Sequence, residues 1–135
     1  MRQNQKGFSL VELIIVIAIM AVLIGVLAPQ YLKYVNNARV TTDMRNASEM
    51  ARMIDATMSG TQGTLAAGTI SGAGGTAVSN VDNLTALPYS ELKRDAVWNI
   101  TIIQGIGVTE ITLDSVRIYP GEGDNNPYYA AYYQH

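Results

Sequence analysis

One acidic residue, Glu12, lies within a long apolar run near the start of the chain. Apart from Ser9 and Glu12, every residue from Phe8 to Ala28 is apolar, small or both. A helix over this run is roughly 31 Å long, which matches a bilayer hydrocarbon core of about 30 Å. A carboxylate inside the hydrocarbon core costs up to about 2.5 to 3.5 kcal/mol on insertion scales and usually has a functional partner. We therefore expect a transmembrane helix in which Glu12 has a specific role.

The side chains that catalysis ordinarily uses are scarce in the rest of the sequence. The chain has one histidine, the terminal His135, and no cysteine. It has no Ser/His/Asp set, phosphate-binding loop or zinc-ligand spacing, so we expect neither an enzyme nor a cofactor. The lack of cysteine also excludes a disulfide framework. The net charge of −2 gives no sign of a nucleic-acid-binding surface.

Oxygen ligands cluster in one turn near the C-terminus. Glu122, Asp124, Asn125 and Asn126 carry side-chain oxygens that Ca²⁺ could use. Their spacing does not fit an EF-hand loop, which places ligands at fixed alternate positions before a terminal Glu. We expect a solvated turn without a metal, and Glu122, Asp124 and Asn125 are the candidate ligands if an ion binds.

The residues that precede the apolar run are short, polar and basic, and they end at Gly7. An ordinary secretory signal has its small-residue cleavage site after an apolar segment of about 7 to 15 residues. Here the small residue lies before the apolar segment, so a cut between Gly7 and Phe8 would retain the helix. Arg2 and Lys6 predict that this end of the helix stays on the cytoplasmic side.

The ordered motif from Lys6 to Leu13, KGFSLVEL, is followed by the apolar helix and Pro29. This arrangement resembles the N-terminal signature of the type IV pilin and type II pseudopilin family, over roughly the first third of the chain. The resemblance implies that a prepilin peptidase removes residues 1–7 and that Phe8 is N-methylated. It also implies that Glu12 attracts the amine of Phe8 on a neighbouring subunit. Such opposite charges neutralise each other's cost at low dielectric and fix axial register. The lack of cysteine favours cysteine-free pilins or pseudopilins, and the moderate size and plain predicted sheet favour a major pilin subunit.

Gly25 and Pro29 mark the end of the apolar run. A proline inside a helix removes one backbone hydrogen bond and tends to kink or break the helix. Two interpretations are open for this pair. The residues mark only the membrane exit, or they let the helix melt locally between membrane and filament states and so make the filament elastic.

Helical periodicity resumes after Pro29. Apolar or small residues recur at alternating spacings of four and three, which predicts one buried face, at Val40, Met44, Ala47, Ala51, Ile54 and Met58. Gly60 and Gly63 supply a stop. We expect one continuous or kinked helix from about Ser9 to Ser59, with residues 8–29 as the transmembrane and filament-core part and residues 30–59 as the amphipathic part.

The remainder of the chain predicts a connection and then a sheet. Residues 60–95 are rich in Gly, Ser and Thr, which favours a linker, although residues 65–70 and 76–81 could form short edge strands. Within residues 96–135, β-branched runs separated by turn residues predict three or four antiparallel strands. Tyr128, Tyr129, Tyr132 and Tyr133 form an aromatic tail that we expect to dock on the sheet, with surface adhesion or subunit contacts as the alternative.

The sequence thus predicts an α+β fold, with a long N-terminal helix packed against a small antiparallel sheet. The resemblance implies a bacterial structural subunit that waits in the inner or cytoplasmic membrane and then polymerises into a type IV pilus, or fimbrium, on the cell surface. Its implied partners are identical subunits, the prepilin peptidase, the assembly ATPase and the platform machinery. Two alternatives stay open: a pseudopilin of a secretion or DNA-uptake system, and a monomeric membrane-anchored binding module.

Overall fold

The computed structural model describes residues 7–60, 65–121 and 125–133. In chain order its elements are α1 (Leu10–Ser59), β1 (Gly68–Ala73), β2 (Val97–Ile103), β3 (Gly107–Leu113), β4 (Val116–Tyr119) and α2 (Pro127–Tyr132). The chain divides into two compact units, Met1–Tyr34 and Val35–His135. The expected α+β class is confirmed, since a long N-terminal helix accompanies one four-stranded antiparallel sheet in the order β1-β2-β3-β4.

The second half of α1 packs one face into the core of the C-terminal unit. The predicted buried face of this helix, here called the stripe, is confirmed. Met44 and Met58 are partly buried, and the other members are buried, namely Val40, Ala47, Ala51 and Ile54. Asp43 is polar and lies outside the residues of this stripe, yet it is fully buried. The core is completed by inward-facing residues of the sheet, including Trp98, Ile100, Ile111, Leu113 and Ile118.

Strand alternation is regular in β2 and interrupted in β3. In β2 the buried residues are Trp98, Ile100 and Ile102, as a strand with one covered face requires. The pairing of β2 with β3 shifts register between Thr101 and Ile102, which is a β-bulge. Because of this shift Val108 is buried and Thr109 is only half-buried.

The segment 60–95 is more than the linker that its composition favours. The alternative of an edge strand over residues 65–70 holds in part, since β1 (Gly68–Ala73) pairs along the outer side of β2. Residues 76–81 form no strand and contribute an isolated bridge between Ala77 and Ala86. The residues after β1 turn back closely: a Cβ at Gly74 would lie 2.5 Å from the Tyr89 Cα, and Gly75 has a φ of +84°. Any side chain at Gly74 would overlap the Tyr89 backbone, and the conformation of Gly75 is one that glycine adopts without the strain it imposes on most other residues.

A two-residue turn joins β3 to β4 and is tied to the rest of the sheet. Asp114 and Ser115 have φ angles of 49° and 70°, as both central residues of a type I′ turn require. The Asp114 carboxylate accepts hydrogen bonds from the Val97 N–H at 2.9 Å and from the Lys93 ammonium. Hydrogen bonding and charge from Asp114 raise the pKa of Lys93, and the hydrogen bonds to Asp114 lower the pKa of that carboxyl group.

Candidate functional site

The residues of the expected cleavage pair immediately precede α1. Phe8 is 91% exposed, and nothing lies within 4 Å of a Cβ built on Gly7. Both residues are outside the helix, which begins at Leu10. The peptide bond between them is therefore accessible to an enzyme in the single chain.

Glu12 caps the start of its own helix. The Ser9 N–H donates to Glu12 Oε2 at 2.9 Å, and the Val11 N–H donates to Ser9 Oγ at 3.2 Å. The backbone Leu13 N–H donates to the Ser9 carbonyl at 3.3 Å. This reciprocal arrangement is a capping box, which satisfies N–H groups that the first helical turn leaves without partners. The expected assembly residue, Glu12, is thus held within one helical turn of Phe8.

The apolar part of α1 is uncovered. An 18-residue window of the helix has a mean hydropathy of 3.1, and none of that window is buried in the part of the chain that the structure describes. The residues from Leu13 to Leu32 include no charged side chain. By length and composition this helix can cross a membrane.

Gly25 and Pro29 lie four residues apart within this same helix. Pro29 has no N–H, so the Gly25 carbonyl lacks the hydrogen bond that residue i+4 ordinarily supplies. A Cβ built on Gly25 meets nothing within 4 Å. The segment is helical on both sides of Pro29 in the single chain, so local melting in a filament stays a prediction.

Two of the four candidate calcium ligands near the C-terminus, Asn125 and Asn126, lie within the described residues. Glu122 and Asp124 lie outside the described residues, and Asn125 is exposed. The fourth, Asn126, is buried, and its Oδ1 accepts from the Tyr128 N–H at 2.9 Å as the N-cap of α2. Its Nδ2 donates to the Ile118 and Gly121 carbonyls at 2.6 and 3.1 Å. The described part of the chain contains no group of three residues that could hold a metal.

A polar cluster centred on Asp43 was not predicted from the sequence. Its carboxylate accepts from the Ser90 hydroxyl at 2.8 Å, the Glu91 N–H at 2.7 Å and the Leu92 N–H at 3.2 Å. The Tyr128 hydroxyl also donates to Asp43 Oδ2 at 2.8 Å. Burial, and then hydrogen bonding to Asp43, raise the pKa of Tyr128 well above its ordinary value. The cluster connects α1, the 90–92 turn and α2, and its arrangement is structural.

A periodicity signal could have identified Asp43 in advance. Asp43, Met50 and Thr57 are seven residues apart and lie beside the predicted stripe, and all three are buried. A seven-residue step returns to nearly the same side of an α-helix. An acid in such a series predicts a buried carboxylate with hydrogen-bond donors around it.

Comparison with known proteins bears on the N-terminal segment. The prokaryotic N-terminal methylation motif matches residues 2–28. The chain is 38% identical over 55 residues to a type IV major fimbrial protein, FimA, of Dichelobacter nodosus, across 41% of this chain and 35% of that protein. It is 33% identical over 54 residues to prepilin peptidase-dependent protein A of Clostridium perfringens, across 40% of this chain and 39% of that protein. No solved structure shows significant similarity.

The matched motif covers the residues of the expected cleavage pair and the expected assembly residue. The chain carries a prepilin-type methylation motif, which includes Gly7, Phe8, Glu12 and Gly25, and it is similar to type IV fimbrial proteins. The matched part amounts to little more than a third of the length of these relatives. The similarity therefore concerns a segment and leaves the activity of the whole protein to be proposed.

Proposed function

We propose that the chain is a type IV pilin, a structural subunit that is cleaved between Gly7 and Phe8, methylated at Phe8 and polymerised into a helical filament on the cell surface. The observation that carries this proposal is the uncovered apolar part of α1, with a mean hydropathy of 3.1 and Glu12 at its start. Similarity to type IV fimbrial proteins supports it.

The apolar part of α1 has to be covered in any stable state. Each large apolar side chain gains about 1.5 to 3 kcal/mol when it moves from water to an apolar environment. A bilayer supplies that environment before assembly, and the same segments of neighbouring subunits supply it in a filament core. Because the two environments are similar, transfer between them is feasible once partner proteins provide energy.

Glu12 determines the position at which the helix stops when it moves from the membrane into the filament. The capping box places its carboxylate one turn from Phe8, so both charged groups of a processed chain would lie at the same end of the helix. A carboxylate and an ammonium from neighbouring subunits attract strongly where water is excluded. Pairing Glu12 with the Phe8 amine of the next subunit fixes the axial register of the filament.

The partners follow from this life cycle. A prepilin peptidase removes residues 1–7, in keeping with the name of the Clostridium perfringens relative, prepilin peptidase-dependent protein A. The subunit stays in the inner or cytoplasmic membrane until an assembly ATPase and its platform extract it, and identical subunits are its partners thereafter. Pseudopilins and monomeric anchors remain distinguishable, since only a major pilus subunit should dominate material sheared from the cell surface.

The proposal is tested by substituting Glu12 in otherwise unmodified cells. We expect Glu12→Ala to insert into the membrane at normal levels and to give no sheared filaments, because the apolar helix is intact and the pairing charge is lost. Glu49→Ala is the matched control, since it removes an exposed acid from the second half of the same helix. Filament yield from Glu12→Ala equal to that of the control would contradict the proposal.

Processing has its own test, which is mass spectrometry of the N-terminus of sheared filaments. We expect a chain that begins at N-methylated Phe8 and lacks residues 1–7. Filaments whose subunits keep Met1 would show that the apolar helix assembles without the cut and would refute the processing step.

A further inference from the structure

Two tyrosines follow the apolar run on α1, and both side chains are uncovered. Tyr31 is 66% exposed and Tyr34 is 74% exposed. They are three residues apart on one helix, so their rings project from the same side. Exposed aromatic side chains are stabilised when they leave water, so we expect another molecule or a lipid phase to cover this pair.

The spacing between Glu12 and Tyr31 matches the thickness of a bilayer. The nineteen-residue step from one to the other corresponds to about 28 Å of helix, close to a hydrocarbon core of about 30 Å. All side chains between Glu12 and Tyr31 are uncharged. Glu12 and Tyr31 therefore mark the two ends of a single hydrocarbon span.

The occupant that fits this surface is a lipid bilayer. The apolar window is exposed on all sides, so a groove on one partner protein would cover only part of it. A tyrosine has an apolar ring and a hydroxyl that bonds to water or headgroups, which is why tyrosines are enriched where hydrocarbon meets water. Tyr31 and Tyr34 lie where such a boundary would fall.

We propose that Tyr31 and Tyr34 form an interfacial anchor that binds the lipid headgroup region and sets the depth of the helix in the membrane. The anchor rests on the proposed function, because it describes the membrane state that precedes assembly. It places Glu12 at the opposite boundary of the hydrocarbon, where a carboxylate keeps contact with water and headgroups. The cost of inserting Glu12 is then lower than at the bilayer centre.

The absence of cysteine allows a direct measurement of depth. A single cysteine at Ala28, near the anchor, or at Ala18, near Glu12, can carry a spin label at a unique position. Electron paramagnetic resonance with oxygen and a water-soluble nickel complex then reports the depth of each label. The full-length chain is reconstituted in vesicles of phosphatidylethanolamine and phosphatidylglycerol.

We expect the double substitution Tyr31→Ala, Tyr34→Ala to let the Tyr31 end of the helix move towards the bilayer centre. The label at Ala28 should become deeper and the label at Ala18 shallower, by up to one helical turn of about 5.4 Å. Tyr31→Trp with Tyr34→Trp should restore both depths. Leu32→Ala is the control, because it shortens an exposed apolar side chain between the two tyrosines and should leave both depths unchanged.

The outcomes separate the anchor from the proposed function. Labels that are buried in hydrocarbon but keep their depths in the double alanine variant would overturn the anchor alone, as would an equal shift in Leu32→Ala. Labels that lie in water in the chain with both tyrosines would overturn the membrane state of the proposed function and the anchor with it.

Discussion

Two carboxylates on α1 have opposite environments. Glu12 is exposed and accepts one hydrogen bond, from the Ser9 N–H, within its own helical turn. Asp43 is fully buried and accepts four hydrogen bonds from residues that are 47 to 85 positions away in the chain. An exposed acid in an apolar segment is available for pairing between subunits, whereas a fully hydrogen-bonded buried acid stabilises one fold.

The Tyr128 hydroxyl should contribute measurably to stability. We expect Tyr128→Phe to lower the free energy of unfolding by about 1.5 to 3 kcal/mol, since a hydrogen bond to a charged group is lost in the core. Urea unfolding of the full chain in detergent, followed by fluorescence of the buried Trp98, measures the change. Tyr132→Phe, at a residue that is 37% exposed, should change stability by less than about 0.5 kcal/mol. Equal losses in the two variants would contradict this role.

The same hydroxyl predicts a dependence of stability on alkaline pH. Burial and the hydrogen bond to Asp43 raise the pKa of Tyr128 above its reference value of 10.0. The unfolded chain loses this proton near pH 10 and the folded chain retains it, so the stabilisation is intact below pH 10 and falls as the pH rises further. The difference in stability between the native chain and Tyr128→Phe should therefore narrow above pH 10.

The candidate site could be predicted from the sequence because its parts are local. Gly7, Phe8 and Glu12 fall within six consecutive residues, and the structure keeps them together at the start of α1. The Asp43 cluster depends on Tyr128, which lies 85 residues away. No local pattern reveals which distant donor will meet a carboxylate, so this part of the fold required the structure.

Among the elements, a run of β-branched residues predicted β2, and four-three periodicity predicted the buried face of α1. The β-bulge after Thr101 was not predicted, and β1 was predicted only as an alternative to a linker and with other bounds, for different reasons. A bulge shifts the register by pairing geometry that composition does not encode. β1 contains glycine, serine and threonine, which also compose linkers, and only pairing with β2 distinguishes the two.

The glycine after β1 should be required by contact with Tyr89. We expect Gly74→Ala to lower the free energy of unfolding by about 1 to 3 kcal/mol, since the added methyl group would overlap a backbone atom that cannot rotate away. Gly68→Ala is the control, because the nearest atom to its added Cβ is 4.0 Å away. Urea unfolding of the full chain compares them, and equal stabilities would show that the 88–90 segment relaxes freely.

For the whole molecule, α1 is one helix with two kinds of surface. Its first part is apolar on all sides, and its second part is apolar on the face that meets the sheet. The sequence predicted both parts, because hydropathy identifies the first and four-three spacing the second. Gly25 and Pro29 lie in the first part, where one backbone hydrogen bond is absent.

The missing hydrogen bond at Pro29 should lower the local stability of the helix in filaments. A proline in a helix interior costs about 3 kcal/mol, so we expect Pro29→Ala to slow amide exchange of residues 26–33 by about 100-fold in sheared filaments. Hydrogen exchange with mass spectrometry measures this. Pro127→Ala is the control, because Pro127 is the first residue of α2, where an N–H has no intrahelical partner. Unchanged exchange in Pro29→Ala would refute local melting.

The capping box has a consequence for maturation. All of its atoms belong to Ser9 and the residues that follow it, so removal of residues 1–7 takes away none of them. The peptidase would act beside a helix end that is already capped, and the capping box would need no rearrangement after the cut. Cleavage would thus create a charged amino group at Phe8 while the capping box beside it stays the same.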